Sequence, residues 1–293
     1  MNKYLIPLII FCNLMISSAA LNAAGPIAIN DKGLPATWRS SKPVAYQTDQ
    51  GGLGSLSNAE AAQLTDELFQ IWQNVSSATI SFENQGVLSL DVTGSNVLEF
   101  LDTVTPDFPT SPIMFDTDGS ITDALNGSGA SEETIGFAGI QWWIPSKGEI
   151  VVGIAVMNGR FQDGDPSVPD LTLAMFRGTF VHEFGHMIGL GHTQINLDQL
   201  YIIESTFAFE VSNVPIMFPI AVSEGETLLR DDLASVSTLY PASAFASSVG
   251  KIRGKVFLSD GVTPFQGANV IARNVATPLV EAVSSVSGFL YID

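Results

Sequence analysis

Apolar residues recur at intervals of three and four behind Ser57, which is the spacing of one helix face. They are Ala61, Leu64, Leu68, Ile71 or Trp72, and Val75. Ser57 and Glu60 have the spacing of a capping box, in which each residue bonds the backbone of the other. The pattern predicts an amphipathic helix of about five turns. Its apolar stripe is expected to cover a sheet.

Short alternating or apolar runs, separated by Gly, Asp, Asn and Pro, are typical of strands. They span residues 43–47, 78–82, 113–115, 135–143 and 149–157. A second helix is predicted over residues 171–188, with Asp170 as its cap after Pro169.

A third helix is predicted before Pro241. Its apolar face carries Leu229, Leu233, Val236 and Tyr240. Asp231 and Asp232 suit its first turn, where the helix dipole favours negative charge. The Ala- and Ser-rich residues 242–250 then form a predicted linker.

The second predicted helix carries the pattern H-E-x-x-H-x-x-G-x-x-H over residues 182–192. Residues four apart share one helix face, so His182 and His186 can direct ring nitrogens at one metal ion. A continuing helix would carry His192 away from them. Gly189 is therefore expected to end the helix, because glycine adopts the left-handed conformation that reverses the chain.

Three histidine ligands leave a fourth position open, which is typical of a catalytic zinc ion and not of a closed structural one. Glu183 follows the first ligand directly, so its carboxylate is expected to reach that open position as general base and acid. A lone histidine is usually structural, yet all three histidines of the chain fall on this pattern. Phe180, Phe184 and Ile188 are expected to anchor the opposite face of the helix in the core.

Composition restricts the partners. Acidic residues outnumber basic ones by 30 to 12, and the formal net charge is -18. Because a phosphate backbone would be repelled, this charge argues against a nucleic-acid partner. It suits solubility in a saline exterior.

Residues 1–24 have the features of a secretory signal peptide, with Lys3 first, an apolar stretch next and small residues up to Ala24. The predicted location is therefore extracellular. No mature membrane span is expected, since this apolar stretch is short and the later ones are shorter. Cys12, the only cysteine, lies in the leader, so disulfides are not expected to stabilise the mature chain.

The zinc pattern resembles that of the metzincin clan of zinc proteases, and most closely its matrixin branch. Residues 214–219, with Met217, resemble the methionine turn of that clan, which would place Met217 beneath the zinc. The helix with Asp231 and Asp232 is similar to the closing helix of matrixin catalytic domains. The resemblance implies an α/β (α+β) zincin fold over residues 43–241, with a mixed twisted five-stranded sheet, an active-site helix and a mostly irregular lower subdomain.

Function follows from the same resemblance: a secreted metalloendopeptidase that hydrolyses peptide bonds of polypeptide substrates through one zinc-activated water. The chain departs from matrixins in a longer stretch between His192 and Met217, and in Thr193 where serine is common. A second, structural zinc and a cysteine-based latency switch are not expected. The alternative is a zinc-bearing surface or adhesion module without catalysis, which the presence of Glu183 disfavours.

Two acidic loops are candidates for calcium. Asp116, Asp118 and Asp123 place oxygens at alternating positions around Gly119, although a solvated acidic turn explains them equally well. Asp163, Asp165 and Asp170 form the second acidic loop, with the same ambiguity.

The cleft has further candidates. Residues 135–140 and 149–157 both qualify as the sheet edge along which a metzincin aligns an extended substrate, and the sequence does not decide between them. Trp142 and Trp143 are expected in the core in preference to the rim of the cleft.

The C-terminal residues 251–293 resemble the start of a carboxypeptidase regulatory-like (transthyretin-like) β domain. Residues 252–258, 267–272 and 287–292 are predicted strands, with turn chemistry between the first two. Because about half a sandwich leaves an unpaired edge, we expect a fragment of a longer protein whose tail is poorly ordered and dispensable for catalysis. Residues 25–42 are expected to be a short entry segment.

Overall fold

The computed structural model describes residues 25–39, 41–193, 195–196, 213–220 and 225–287. The predicted signal peptide, residues 1–24, lies outside them. Within these ranges, no helix combines the length and the apolar character that a membrane crossing needs.

The described chain alternates strands and α-helices up to β4, as expected of a mixed α/β protein. In chain order the elements are β1 (Val44–Thr48), α1 (Asn58–Gln73), β2 (Phe82–Val87), α2 (Val97–Thr103), β3 (Ser111–Asp116), α3 (Ser120–Asn126), β4 (Gly136–Ile144), β5 (Glu149–Asn158), α4 (Leu173–Met187), α5 (Arg230–Leu239), α6 (Phe245–Ser248), β6 (Asn269–Arg273) and β7 (Ala282–Val286).

Five strands form one sheet in the order β2-β1-β3-β5-β4. The first four are parallel, and β4 runs antiparallel to β5. A mixed sheet in a mixed α/β fold is therefore confirmed. The structure also decides between the two candidate edges, because β4 lies at the end of the sheet and β5 lies inside it.

The two faces of the sheet pack against different layers, as the alternation of side chains along a strand requires. Ile113 and Phe115 of β3 face the main core with α1 and α4, while Met114 between them faces a second core beside α2 and α3. The sheet thus holds α4 against one face.

Helix α1 begins with the predicted capping box: the Ser57 backbone N–H donates to Glu60 Oε2, and the Glu60 N–H donates to Ser57 Oγ. Trp72 is buried, whereas Ile71 is only partly buried. Burial of an indole is favourable where its N–H has an acceptor, and Trp72 Nε1 donates to Val181 O of α4 over 2.9 Å.

The strand predicted at residues 78–82 is wrong in position, because β2 begins only at Phe82. Ala78 forms an isolated bridge with Pro241, and the Thr79 N–H donates to Tyr240 O. Those backbone groups are therefore engaged by the chain after α5. The short helices α2 and α3 were not predicted, since seven residues carry too little periodicity.

The C-terminal residues also differ from expectation. The predicted linker contains α6, and residues 252–258 form only an isolated bridge, Phe257 to Pro264. β6 and β7 pair as an antiparallel hairpin, so the predicted partial sandwich is a two-stranded sheet. Ala282 and Val286 are buried, and β7 packs against α5. Residues 288–293 lie outside the described chain.

Candidate metal centre

The helix α4 that carries the histidine motif begins two residues later than predicted. Thr172 is its cap and accepts a hydrogen bond from the Met175 N–H over 3.2 Å. Leu171 precedes this cap, and its N–H donates to Phe161 O. The predicted cap, Asp170, instead accepts from the Gly164 N–H.

The structure brings the three histidines together at the end of α4. The Nε2 atoms of His182 and His186 lie 3.0 Å apart, those of His186 and His192 lie 3.0 Å apart, and those of His182 and His192 lie 3.3 Å apart. Ligand atoms of a tetrahedral zinc, at about 2.0–2.1 Å from the metal, stand about 3.3–3.4 Å from one another. The spacing of the three nitrogens therefore fits one shared metal ion.

Two of the rings have their tautomer set by the backbone. His182 Nδ1 lies 2.6 Å from Ile216 O, and His186 Nδ1 lies 2.8 Å from Leu190 O. A carbonyl only accepts, so Nδ1 carries the proton in both rings and Nε2 keeps its lone pair. Lone pairs that face one another at this distance repel unless a cation lies between them.

Burial also keeps these rings neutral. It lowers the pKa of His182 to about 4 and that of His192 to about 3, and it holds the pKa of His186 well below its usual value. Neutral imidazole is the form that binds metals. Protons therefore do not occupy the site at pH 7, and the three nitrogens are available to a cation. Among the described residues, they form the one group of three or more His, Cys, Asp or Glu side chains close enough to hold a metal ion.

Gly189 ends α4 as predicted, with a φ of 93° in the left-handed region. The Leu190 N–H donates to Gly185 O, and the Gly189 N–H donates to His186 O. These two bonds define a Schellman motif. The chain reverses there, and His192 returns to the face that His182 and His186 share.

The N-terminal residues 25–39 hold this reversed chain from outside. The Ile27 N–H donates to Gly189 O over 2.8 Å, and the Gly191 N–H donates to Gly25 O over 2.7 Å. Trp38 Nε1 donates to Met187 O, which is another carbonyl at the end of α4. The sequence had indicated only a short entry segment, because a backbone-to-backbone bridge leaves no side-chain pattern.

Glu183 is a residue of α4, and its side chain reaches the edge strand β4. Its Oε2 accepts a hydrogen bond from the Ala138 N–H of β4 over 3.0 Å, and its side chain is 3% exposed. Burial raises the pKa of this carboxyl well above its usual value, and the Ala138 N–H partly opposes that rise. A raised pKa suits a group that must both take up and release a proton near neutral pH.

Met217 is buried against the histidine helix α4. It is fully buried, and an added Cβ on Gly185 would overlap its Sδ. Its carbonyl accepts a hydrogen bond from the Thr193 N–H over 2.8 Å. Residues 214–219, here called the methionine segment, therefore contact both α4 and Thr193, the residue that follows His192.

Asp232 connects this segment to α5. Its two carboxylate oxygens accept from the N–H groups of Ile216, Met217 and Leu229 over 2.8–3.0 Å. From the sequence, Asp232 was expected only to interact favourably with the helix dipole in the first turn. The structure shows a further role, because Ile216 is also the residue whose carbonyl orients His182.

The three candidate calcium residues are not brought together. Both oxygens of Asp116 are engaged by the first turn of α3, through Ile121 N, Thr122 N and Thr122 Oγ1. Asp118 accepts from the Ser120 N–H, and Asp123 accepts from the Ser131 N–H. This arrangement gives Asp116 a capping role and does not support the calcium expectation.

The second acidic loop and the tryptophan pair have structural partners. Asp163 and Asp165 accept from backbone N–H groups two residues ahead, as in solvated turns.

Trp142 packs on the second core and donates to Val104 O, while Trp143 packs beside Ile140 and Ile150. Both tryptophans are only partly buried, so the expected core packing holds in part.

No protein-family model matches this chain, and no curated protein matches it significantly.

Proposed function

We propose that this chain is a zinc-dependent endopeptidase of the metzincin type, similar to the matrixin branch. The convergence of the Nε2 atoms of His182, His186 and His192 within 3.0–3.3 Å carries this proposal, and Glu183 directly follows His182 in the sequence. The buried Met217, the helix end at Gly189 and the mixed five-stranded sheet with an antiparallel edge agree with a zincin fold.

The histidine nitrogens would hold one zinc ion, which when bound supplies a Lewis acid that polarises the scissile carbonyl and acidifies water. Glu183 takes a proton from the attacking water, whose oxygen bonds the carbonyl carbon. The carbon–nitrogen bond then breaks, and Glu183 delivers the proton to the leaving amine. Atoms and protons balance with water as the only co-reactant.

The substrate class follows from the position of β4. No described strand pairs with its outer edge, and the Ala138 N–H of this strand already contacts Glu183. An extended polypeptide that adds to this edge by main-chain hydrogen bonds would place its backbone next to the general base. We therefore propose that the substrates are extended polypeptides.

Incubation of the purified protein with a peptide library, with and without a zinc chelator, tests the proposal. We expect cleavage that chelation removes and added zinc restores. Zinc binding without cleavage of any peptide would favour the alternative, a catalytically silent surface or adhesion module.

We further propose export by residues 1–24, which N-terminal sequencing of the mature protein from its host would check.

A further inference from the structure

The hairpin β6–β7 contacts the chain directly after the third histidine. The Ser284 N–H donates to Asp231 Oδ1 over 2.6 Å, and Ser284 Oγ donates to Asp231 Oδ2 over 3.0 Å. Ser284 Oγ also lies 3.2 Å from Thr193 Oγ1. Thr193 and Asp231 are both buried, so this serine joins two residues inside the interface between the hairpin and α5.

A second attachment of the hairpin lies at Asn196, three residues after Thr193. Asn196 has a φ of 64°, the single described non-glycine residue with a positive φ. Its Nδ2 donates to Leu279 O over 3.0 Å, and its Oδ1 accepts from Arg273 Nη1 over 2.7 Å. A left-handed non-glycine residue persists where its surroundings hold it. The hairpin supplies part of that hold, and Asn213 O, which accepts from Asn196 Nδ2 over 2.6 Å, supplies the rest.

The hairpin also contacts the N-terminal segment. Residues 25–27 of that segment bond to Gly189 and Gly191, on the other side of His192. Val286 of β7 is buried against Ile29. Before His192, Gly189 and Gly191 are thus bonded by residues 25–27. After it, Thr193 and Asn196 are bonded by the hairpin.

We infer that the hairpin β6–β7 positions His192 for metal binding, with Ser284 as its main positioning residue. His192 is the one ligand outside α4, so its place depends on the residues at its two sides. Thr193 is bonded to Met217 O, to Ser284 and to Asp231, which leaves little freedom for the preceding ring. The inference rests on the proposed metal site, and it predicts that the hairpin is not dispensable.

The test compares full-length Ser284→Ala with Ser285→Ala, which removes a hydroxyl from the opposite side of the same strand. Ser284→Ala keeps the backbone bond to Asp231, so the hairpin stays attached. Zinc dissociation constants are measured by competition with a chelator. We expect about tenfold weaker binding in Ser284→Ala, the low end for residues that orient a ligand. We expect the wild-type value in Ser285→Ala and recovery in Ser284→Thr.

Absorption spectra of the cobalt-substituted proteins at saturating cobalt separate positioning from general stability. A changed spectrum in Ser284→Ala, but not in Ser285→Ala, would report a displaced ligand. Equal zinc affinity and identical spectra in the two alanine variants would overturn the inference and leave the metal site intact. A wild-type protein that binds neither zinc nor cobalt would overturn both.

Discussion

Gly185 lies directly against Met217, so that the methionine sulfur occupies the space that a Cβ at position 185 would need. Gly185→Ala should therefore displace the methionine segment and weaken zinc binding. Helix propensity alone would favour alanine by about 1 kcal/mol. Overpacking typically costs about 1–3 kcal/mol, so we expect a net loss of up to about 2 kcal/mol in the free energy of unfolding.

Urea denaturation measures that loss, and Gly254→Ala is its control, because an added Cβ there meets no atom within 4 Å. A Gly185→Ala variant about 1 kcal/mol more stable than the wild type would show that Met217 moves aside at no cost.

Each of His182→Ala, His186→Ala and His192→Ala should lower zinc affinity by more than about 100-fold. Loss of a residue that only orients a ligand already costs about 10–100-fold. Elemental analysis after dialysis should find about one zinc per wild-type chain and almost none in the variants. Leu173→Ala, an exposed change on the same helix, should keep its zinc. Full zinc content in all three histidine variants would contradict the assigned site.

Glu183→Gln should keep zinc while kcat falls by about 100-fold or more, because only the proposed general base is removed. The glutamine oxygen can still accept the Ala138 N–H, which preserves the local fold. Peptide cleavage at saturating substrate and zinc content are measured on the same sample. Near-normal kcat in this variant would assign proton transfer to another group.

Asp232 should make stability depend on pH. Burial raises its pKa from 3.8 to about 7. Since the folded-state pKa is the higher one, its contribution is full below about pH 3.8 and is lost as the pH rises through about 7. Wild-type stability should therefore fall relative to Asp232→Asn by on the order of 1 kcal/mol between pH 5 and pH 8.

Urea denaturation in chelator at the two pH values checks this difference, which cancels the titration of groups common to both proteins. A wild-type-to-variant difference that stays constant with pH would show that Asp232 remains ionised throughout.

Asp116→Ala should cost about 1–2 kcal/mol in the free energy of unfolding, since three donors of α3 lose their acceptor. The loss should be equal in excess calcium and in a calcium chelator, if capping is the role of Asp116. Asp118→Ala, an exposed change in the same loop, should cost less than about 0.5 kcal/mol. A melting temperature that rises with calcium in the wild type alone would return the loop to a calcium site.

Local chain geometry made much of the candidate centre predictable from the sequence. Two histidines four residues apart share a helix face in any α-helix, and a glycine three residues later ends that helix without help from distant residues. The capping box at Ser57 and Glu60 is equally local. The start of α4 was predicted less well, because Asp170 and Thr172 are both suitable cap residues and the structure uses Thr172.

Contacts between distant residues decided the rest, and no sequence pattern encodes them. Ala138 meets Glu183 only because β4 takes the edge of the sheet, and a strand's place in a sheet depends on its pairing partners. Asp231 and Asp232 look alike as acidic residues of one helix turn, yet one bonds the hairpin and the other the methionine segment. By itself the sequence determined which residues can bind the metal; the tertiary structure decided what holds them, since backbone N–H and C=O groups are the same at every residue and are distinguished only by where the fold brings them.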